Sequence, residues 1–364
     1  MDTRTYVIAA GGTAGHVIPA LAVADALRAE AGSPPPRLVF VGGQRAEREL
    51  VPAAGYELRT IAVEGLSRTN PLKALRALLK AAGAVVAAWR ILGELRPAAV
   101  LGGGGYVAGP VGLAAVLRRI PLVLSEADSH LGVANRLLAP FARRVCLAFP
   151  IDGRTGSRYR VTGRPVPVPA CDREAARARF GIPPGARVLV VFGGSLGART
   201  INDAAVAAFA RAGDFHVLHA AGERDLPALR ERLAGAPPGH YDLRGFVERF
   251  GEALLAGDLV VARAGGSVFE VAAAGRPAIL VPYPYAAGGH QDANARWMER
   301  AGAAVVVPDG ELTPERLSRE VAALMGDPER LAAMGEAARG LARPQAAREI
   351  AGELVRAGDG RDGA

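Results

Sequence analysis

Tyr6-Val-Ile-Ala-Ala-Gly-Gly-Thr-Ala-Gly-His16 and Val188-Leu-Val-Val-Phe-Gly-Gly-Ser-Leu-Gly-Ala198 follow one plan at two distant places: an apolar run that ends in a glycine loop. A short apolar run bounded by glycines reads as a buried strand, and the glycines allow a tight turn into a helix. Working outward, further runs occur at residues 38–41, 99–101, 122–124 and 145–147, then at 215–219, 259–261, 278–281 and 304–307. Helical patterns lie between them, for instance 18–29 and 72–95. Strands alternating with helices predict parallel α/β sheets. Gly163-Arg-Pro-Val-Pro-Val-Pro-Ala170 cannot continue a helix and suits an extended linker. The expected architecture is α/β: two Rossmann-like parallel-sheet domains facing a cleft, the default ligand site. The boundaries fall at 1–163 and 164–343, with 344–364 forming a helix that can pack back on the first domain and a loose tail.

Composition allows this. The 364 residues are half apolar, enough for two cores, and Cys146 and Cys171 offer neither metal spacing nor a disulfide framework. No apolar stretch reads as a spanning helix and the start has no signal-peptide anatomy, so a cytoplasmic location is expected. The net charge of +8 is uneven: residues 1–161 hold 20 Lys and Arg against 11 Asp and Glu, and the rest hold 24 against 25. A basic first half implies an anionic partner, nucleic acid or an anionic membrane surface.

A third glycine cluster, Gly102-Gly-Gly-Gly-Tyr-Val-Ala-Gly-Pro110, also follows an apolar run. Such loops bring backbone amides and a helix N-terminus close to a phosphate. A dinucleotide oxidoreductase is excluded. Ala10 stands where the first Gly of G-x-G-x-x-G belongs, and the second strand ends Val41-Gly-Gly-Gln44 without the ribose-binding acid. In Arg263-Ala-Gly-Gly-Ser-Val-Phe-Glu270 a strand leads through a glycine turn into a helix whose first turn carries Glu270. That carboxylate can accept both hydroxyls of a ribose, or simply complement the helix dipole. Gln291 and Asn294 of His290-Gln-Asp-Ala-Asn294 share one helix face at a strand's carboxyl end, where open sheets bind ligands.

These motifs (GGTAGH at 11–16, GGYVAGP at 104–110, GGSLGA at 193–198, RAGGSVFEVAAAG at 263–275 and HQDANA at 290–295) resemble those of the MurG family along nearly the whole chain. These are bacterial transferases that add N-acetylglucosamine to the undecaprenyl-diphospho-muramoyl-pentapeptide lipid. The resemblance implies a two-sheet glycosyltransferase fold of the GT-B type, inversion at the anomeric carbon, no cofactor and no metal. It places UDP-GlcNAc mainly in the second domain: Val247 on uracil, Glu270 on ribose, Ser195 with Gly265, Gly266 and Ser267 on diphosphate and sugar, Gln291 on the sugar hydroxyls. In the first domain, Thr13, Ala14 and Gly15 would meet both the donor and the acceptor's diphosphate. Gly12, Gly103, Gly104 and Tyr106 would hold the acceptor; Asp128, Asn135 and Arg164 would reach the donor. The chain departs from the family at Ser125-Glu-Ala-Asp128, which keeps only the Glu of a His-Glu-Gln-Asn run. It departs again at Pro167, where a donor-contacting Arg is usual; Arg164 can substitute.

The reaction needs a base for the acceptor hydroxyl and stabilisation of the leaving UDP. His16, with a reference pKa of about 6.5, is the first candidate base, or else it orients its loop or binds acceptor. Glu126 and Asp128, after a first-domain strand, are the alternatives. No D-x-D sequence occurs that would hold a metal on the diphosphate, and no G-x-S-x-G elbow supports a hydrolase. Leu72, Leu75, Leu79, Val86 and Trp89 follow helical spacing with Lys73, Arg76, Lys80 and Arg90 around them. Such a stripe more often faces a core, but with the basic first half it also fits an enzyme docked on the inner face of the cell membrane. The expected partners are thus UDP-GlcNAc, the polyprenyl-diphosphate-linked muramoyl-pentapeptide and an anionic membrane surface, without nucleic acid. Rival readings are a transferase glycosylating diacylglycerol, a UDP-GlcNAc 2-epimerase and a non-enzymatic nucleotide-sugar sensor.

Overall fold

Two sets of apolar strands dominate the buried residues, and each set forms its own parallel sheet. The computed structural model describes residues 4–30, 34–63, 71–167, 171–194, 197–211, 214–235 and 239–360, with 71–81 and 287 described as backbone alone. The chain divides into one compact unit of Met1–Val166 with Arg343–Ala364 and another of Pro167–Ala342.

The first unit runs β1 (Thr5–Ala9), α1 (Ala14–Glu30), β2 (Arg37–Gly42), α2 (Glu47–Ala53), β3 (Glu57–Thr60), α3 (Pro71–Leu95), β4 (Ala99–Gly102), α4 (Gly105–Leu117), β5 (Leu122–Glu126), α5 (Val133–Leu138), β6 (Arg144–Leu147) and β7 (Tyr159–Val161). The second runs α6 (Arg173–Arg179), β8 (Arg187–Phe192), α7 (Arg199–Phe209), β9 (Phe215–Ala220), α8 (Leu226–Leu233), β10 (Tyr241–Arg244), α9 (Phe250–Ala256), β11 (Leu259–Ala262), α10 (Val268–Ala273), β12 (Ala278–Leu280), α11 (His290–Arg300), β13 (Ala304–Val306), α12 (Pro314–Met325) and α13 (Pro328–Leu341). The last helix, α14 (Ala346–Gly358), belongs to the first unit. The strand orders are β3-β2-β1-β4-β5-β6-β7 and β10-β9-β8-β11-β12-β13, and every pairing is parallel. Two Rossmann-like sheets are thus present.

The pleat sorts side chains by parity. Val7 and Ala9 of β1 join the core beneath α3 and α4, while Tyr6 and Ile8 join the core that α1 and α14 cover. Ile350, Ala351, Leu354 and Ala357 of α14 are part of that second core. Both sheet faces are covered, which is why the central strands read as unbroken apolar runs.

Three strands carry no such run. β3 (Glu-Leu-Arg-Thr), β7 (Tyr-Arg-Val) and β10 (Tyr-Asp-Leu-Arg) each lie at a sheet edge. Their charged residues discourage further pairing there. The helix expected at 18–29 begins at Ala14, inside the glycine motif. The stripe on α3 is corrected too: Ala84, Ala88 and Leu92 face the core, whereas Val86 and Trp89 are 52% and 38% exposed. The side chains of Leu72, Leu75, Leu79, Lys73, Arg76 and Lys80 lie outside the described residues. Among the described residues no helix is long and apolar enough to cross a membrane.

Candidate functional site

Open parallel sheets bind ligands outside the carboxyl ends of their strands, at the point where strand order reverses. In the first unit that point lies between β1 and β4, so the loops carrying Gly12–Gly15 and Gly103–Tyr106 adjoin; Gly103 N–H donates to the Ala9 carbonyl at 2.8 Å. In the second unit it lies between β8 and β11. Those strands lead into the loop at 193–198 and the turn at 263–267. Ser195 itself lies outside the described residues.

His16 sits on the first turn of α1. Its Nδ1 is 3.3 Å from Thr13 Oγ1, and its ring edge lies against Gly104, where a Cβ would come within 2.8 Å of Cδ2. Gly104 also has φ +97°, so both the backbone and the imidazole require glycine. Burial lowers the His16 pKa below its ordinary value, the Arg164 guanidinium lowers it further, and the carboxylates of Asp128 and Glu47 act against that.

Arg164 explains how α1 tolerates an internal proline. Pro19 has no N–H for the Gly15 carbonyl four residues back, and Arg164 Nη2 donates to that oxygen instead, at 2.5 Å. The residue expected on the donor is therefore 9% exposed and tied to the first glycine loop, between Thr13–Ala14 and His16.

Glu126 ends β5, only 6% exposed. It accepts hydrogen bonds from Asp128 N–H at 3.1 Å, Gly132 N–H at 2.9 Å and Asn135 Nδ2 at 2.9 Å. Burial raises its pKa; these three donors pull the other way, and the Asp128 charge adds to the rise. Asn135 also donates to the Ser125 carbonyl at 3.3 Å, so these residues form one cluster that shapes the loop after β5.

In the second unit Arg263, 8% exposed, is spent on structure. It donates to the carbonyls of Val281 at 3.2 Å and Pro282 at 3.3 Å and pairs with Asp309 at 2.5 Å, locking the turn after β11 to the end of β12. Asn294 of α11 holds the same turn through the Ala264 carbonyl at 2.9 Å. Among the described residues its Oδ1 is buried without a hydrogen-bond partner. Gln291 accepts Tyr283 N–H at 2.9 Å through Oε1, which turns its Nε2 toward Gly265, 3.9 Å from the Cβ position there. Gly265, Gly266, Ser267 and Glu270 are half-buried, the last on the first turn of α10. Val247 is only 5% exposed, while neighbouring Phe246 is 60% exposed. The structure therefore gathers Gly265–Ser267, Glu270, Gln291 and Asn294 at adjacent strand ends. In the first unit it gathers Gly12–His16 with Gly103, Gly104 and Tyr106.

One residue of this arrangement is absent from the sequence reading. Glu47, wholly buried, bonds to Gly12, Gly43 and Tyr106 at once. The only local signal was an acid opening a helix just beyond Gly42-Gly43-Gln44.

Comparison with known proteins agrees with this architecture. The glycosyltransferase family 28 N-terminal domain matches residues 6–147 and the family's C-terminal domain matches 188–350. The UDP-N-acetylglucosamine--N-acetylmuramyl-(pentapeptide) pyrophosphoryl-undecaprenol N-acetylglucosamine transferase of Moorella thermoacetica is 42% identical over 359 residues, covering 94% of this chain and 96% of that protein. The crystal structure of Acinetobacter baumannii MurG superposes with a TM-score of 0.75 at 30% identity, covering 98% of this chain and 100% of that one. A putative UDP-N-acetylglucosamine 2-epimerase from Listeria monocytogenes has a TM-score of 0.70 at 15% identity, over 96% of this chain and 95% of that one, a likeness of fold alone. The chain belongs to glycosyltransferase family 28 and, within it, to the MurG family.

Proposed function

We propose that this protein transfers N-acetylglucosamine from UDP-GlcNAc to the undecaprenyl-diphospho-muramoyl-pentapeptide lipid of peptidoglycan synthesis, with inversion at the anomeric carbon and without a metal. The observation that carries this reading is the end-to-end similarity, 42% identity over 359 residues, to a transferase named for that activity, in a chain whose glycine loops sit at both switch points.

The donor lies on the second unit. Val247 meets uracil and the Glu270 carboxylate accepts the ribose hydroxyls. The amides at Gly265–Ser267, with Ser195, receive the diphosphate and sugar, and Gln291 Nε2 reads a sugar hydroxyl. The buried Asn294 Oδ1 is a ready acceptor for another hydroxyl. As the acceptor oxygen attacks the anomeric carbon, the bond to UDP breaks and its electron pair goes to the diphosphate. Fixed amides stabilise that charge. The acceptor proton goes to His16, which its surroundings keep neutral at pH 7. Thr13, Ala14, Gly15, Gly103 and Gly104 receive the acceptor diphosphate, and Asp128, Asn135 and Arg164 shape the site around His16.

The protein reaches its lipid from the cytoplasmic face of the membrane. Val86 and Trp89 of α3, Leu113 and Leu117 of α4, Leu137 of α5 and Phe141 just after it are exposed apolar side chains. Arg118 stacks 4.3 Å from the Trp89 ring centroid, which puts a cation beside the apolar surface. An apolar face with adjacent cations suits an anionic headgroup layer.

Radiolabelled UDP-GlcNAc with the muramoyl-pentapeptide lipid tests the reading. Label should pass into the lipid, and Glu270→Ala should lose UDP affinity measured by calorimetry. Label that stays on UDP as an epimeric sugar, without lipid, would assign the fold to epimerisation instead.

A further inference from the structure

Glu47, the first residue of α2, is a carboxylate with 0% exposure against the glycine loops at 11–16 and 102–106. Its Oε2 accepts Gly12 N–H at 2.8 Å; its Oε1 accepts Gly43 N–H at 2.8 Å and Tyr106 O–H at 3.0 Å. The donors come from the loops after β1 and β2 and from the first turn of α4, three segments that pack against one another around this carboxylate. Space is kept for it: a Cβ at Gly42 would come within 2.7 Å of Glu47 Cγ, and one at Gly11 within 2.9 Å of Oε1. Burial alone would push the Glu47 pKa up, but the bonds from Gly12, its own backbone, Tyr106 and Gly43 hold it below the usual carboxylate range. Glu47 is therefore ionised at neutral pH, and removing it would strand buried donors.

We propose that Glu47 is a positioning residue for the acceptor half of the reaction: one buried carboxylate holds the Gly12–His16 loop in register with Tyr106. This rests on the transferase reading above. Two consequences follow. The Gly12 N–H and the Tyr106 O–H are spent on Glu47, so these residues act on the acceptor through the shape they give the pocket. The Glu47 charge also favours protonated His16, together with Asp128 and against Arg164.

The test uses the full chain, with Glu47→Gln and Tyr106→Phe. Gln fills the same volume but has one acceptor oxygen and presents N–H where a donor already points. In Glu47→Gln, KM for the acceptor lipid should rise about tenfold or more, as expected for lost hydrogen bonds to a charged group. UDP affinity should stay within about twofold, and the acid limb of the rate profile should move to lower pH because a nearby anion is gone. Tyr106→Phe, which keeps the charge and both amide bonds, should raise the acceptor KM less and leave the acid limb in place. Hydrogen exchange at the Gly12 and Gly43 amides reads the clamp without any turnover: both should lose protection in Glu47→Gln and keep it in Tyr106→Phe. Unchanged protection, or wild-type acceptor kinetics and pH profile in Glu47→Gln, would overturn the proposal. A parent protein that transfers no sugar would refute the transferase reading while the exchange measurement still decides the clamp.

Discussion

His16 is held neutral at pH 7 by two effects, burial and the Arg164 guanidinium, which outweigh the carboxylates of Asp128 and Glu47. The sign follows directly. Its folded pKa lies below the ordinary histidine value, so the neutral base predominates at neutral pH and is lost as pH falls through that lowered value. We expect an acid limb in kcat/KM, which reports the free enzyme, with a midpoint below about 6.5, the ordinary value. His16→Ala should abolish the limb and lower kcat by about 10²–10⁴-fold, the usual contribution of a general base, with UDP affinity kept. A His16→Ala variant with normal kcat and a raised acceptor KM would make the residue a binding group, and Glu126 or Asp128 the base. The same linkage acts on stability: protonating His16 in its depressed environment costs folding energy below about pH 6.5. His16 was legible in the sequence because it closes a glycine loop. Glu47 was not, since nothing in the order of residues says that an acid opening α2 folds under a loop formed 35 positions earlier.

At the scale of elements, α1 shows how local rules yield to tertiary contacts. Pro19 argues for a helix starting late, yet α1 starts at Ala14 because Arg164 satisfies the carbonyl that Pro19 leaves open. The edge strands β3, β7 and β10 escaped pattern reading for a related reason: a strand paired on one side and wet on the other needs no apolar run. α3 carries two faces, with Ala84, Ala88 and Leu92 inside and Val86 and Trp89 outside. If the outer face and the neighbouring surface of α4 dock on lipid, binding to anionic vesicles should fall steeply with salt. Trp89→Ala with Leu117→Ser should weaken that binding while leaving UDP affinity intact. Equal partitioning to neutral and anionic vesicles would count against the charge component, and unchanged binding of the double variant against the apolar one.

At the scale of the whole molecule, the chain builds one sheet, then a second, and returns to the first through α14. Ile350 and Leu354 are buried against β1, β4 and α1, and Glu353 bonds to Arg144 and Arg160, each at 2.9 Å, and to Arg356 at 2.7 Å. Leu354→Ala should cost about 2–5 kcal/mol, the range for emptying a buried leucine site. Thermal denaturation should show that loss in the first unit while UDP still binds to the second; a variant as stable as the parent would mean that α14 only rests on the core. The sequence alone determined the alternation of strand and helix, the two parallel sheets, and the four glycine-bearing turns, because apolar period and turn chemistry act over a few residues. The tertiary structure alone decided which loops meet. The switch points between β1 and β4 and between β8 and β11 fix that. It also decided which polar groups are spent on holding the site (Glu47, Arg164, Arg263) and which remain to act, because hydrogen bonds between segments far apart in sequence leave no periodic trace.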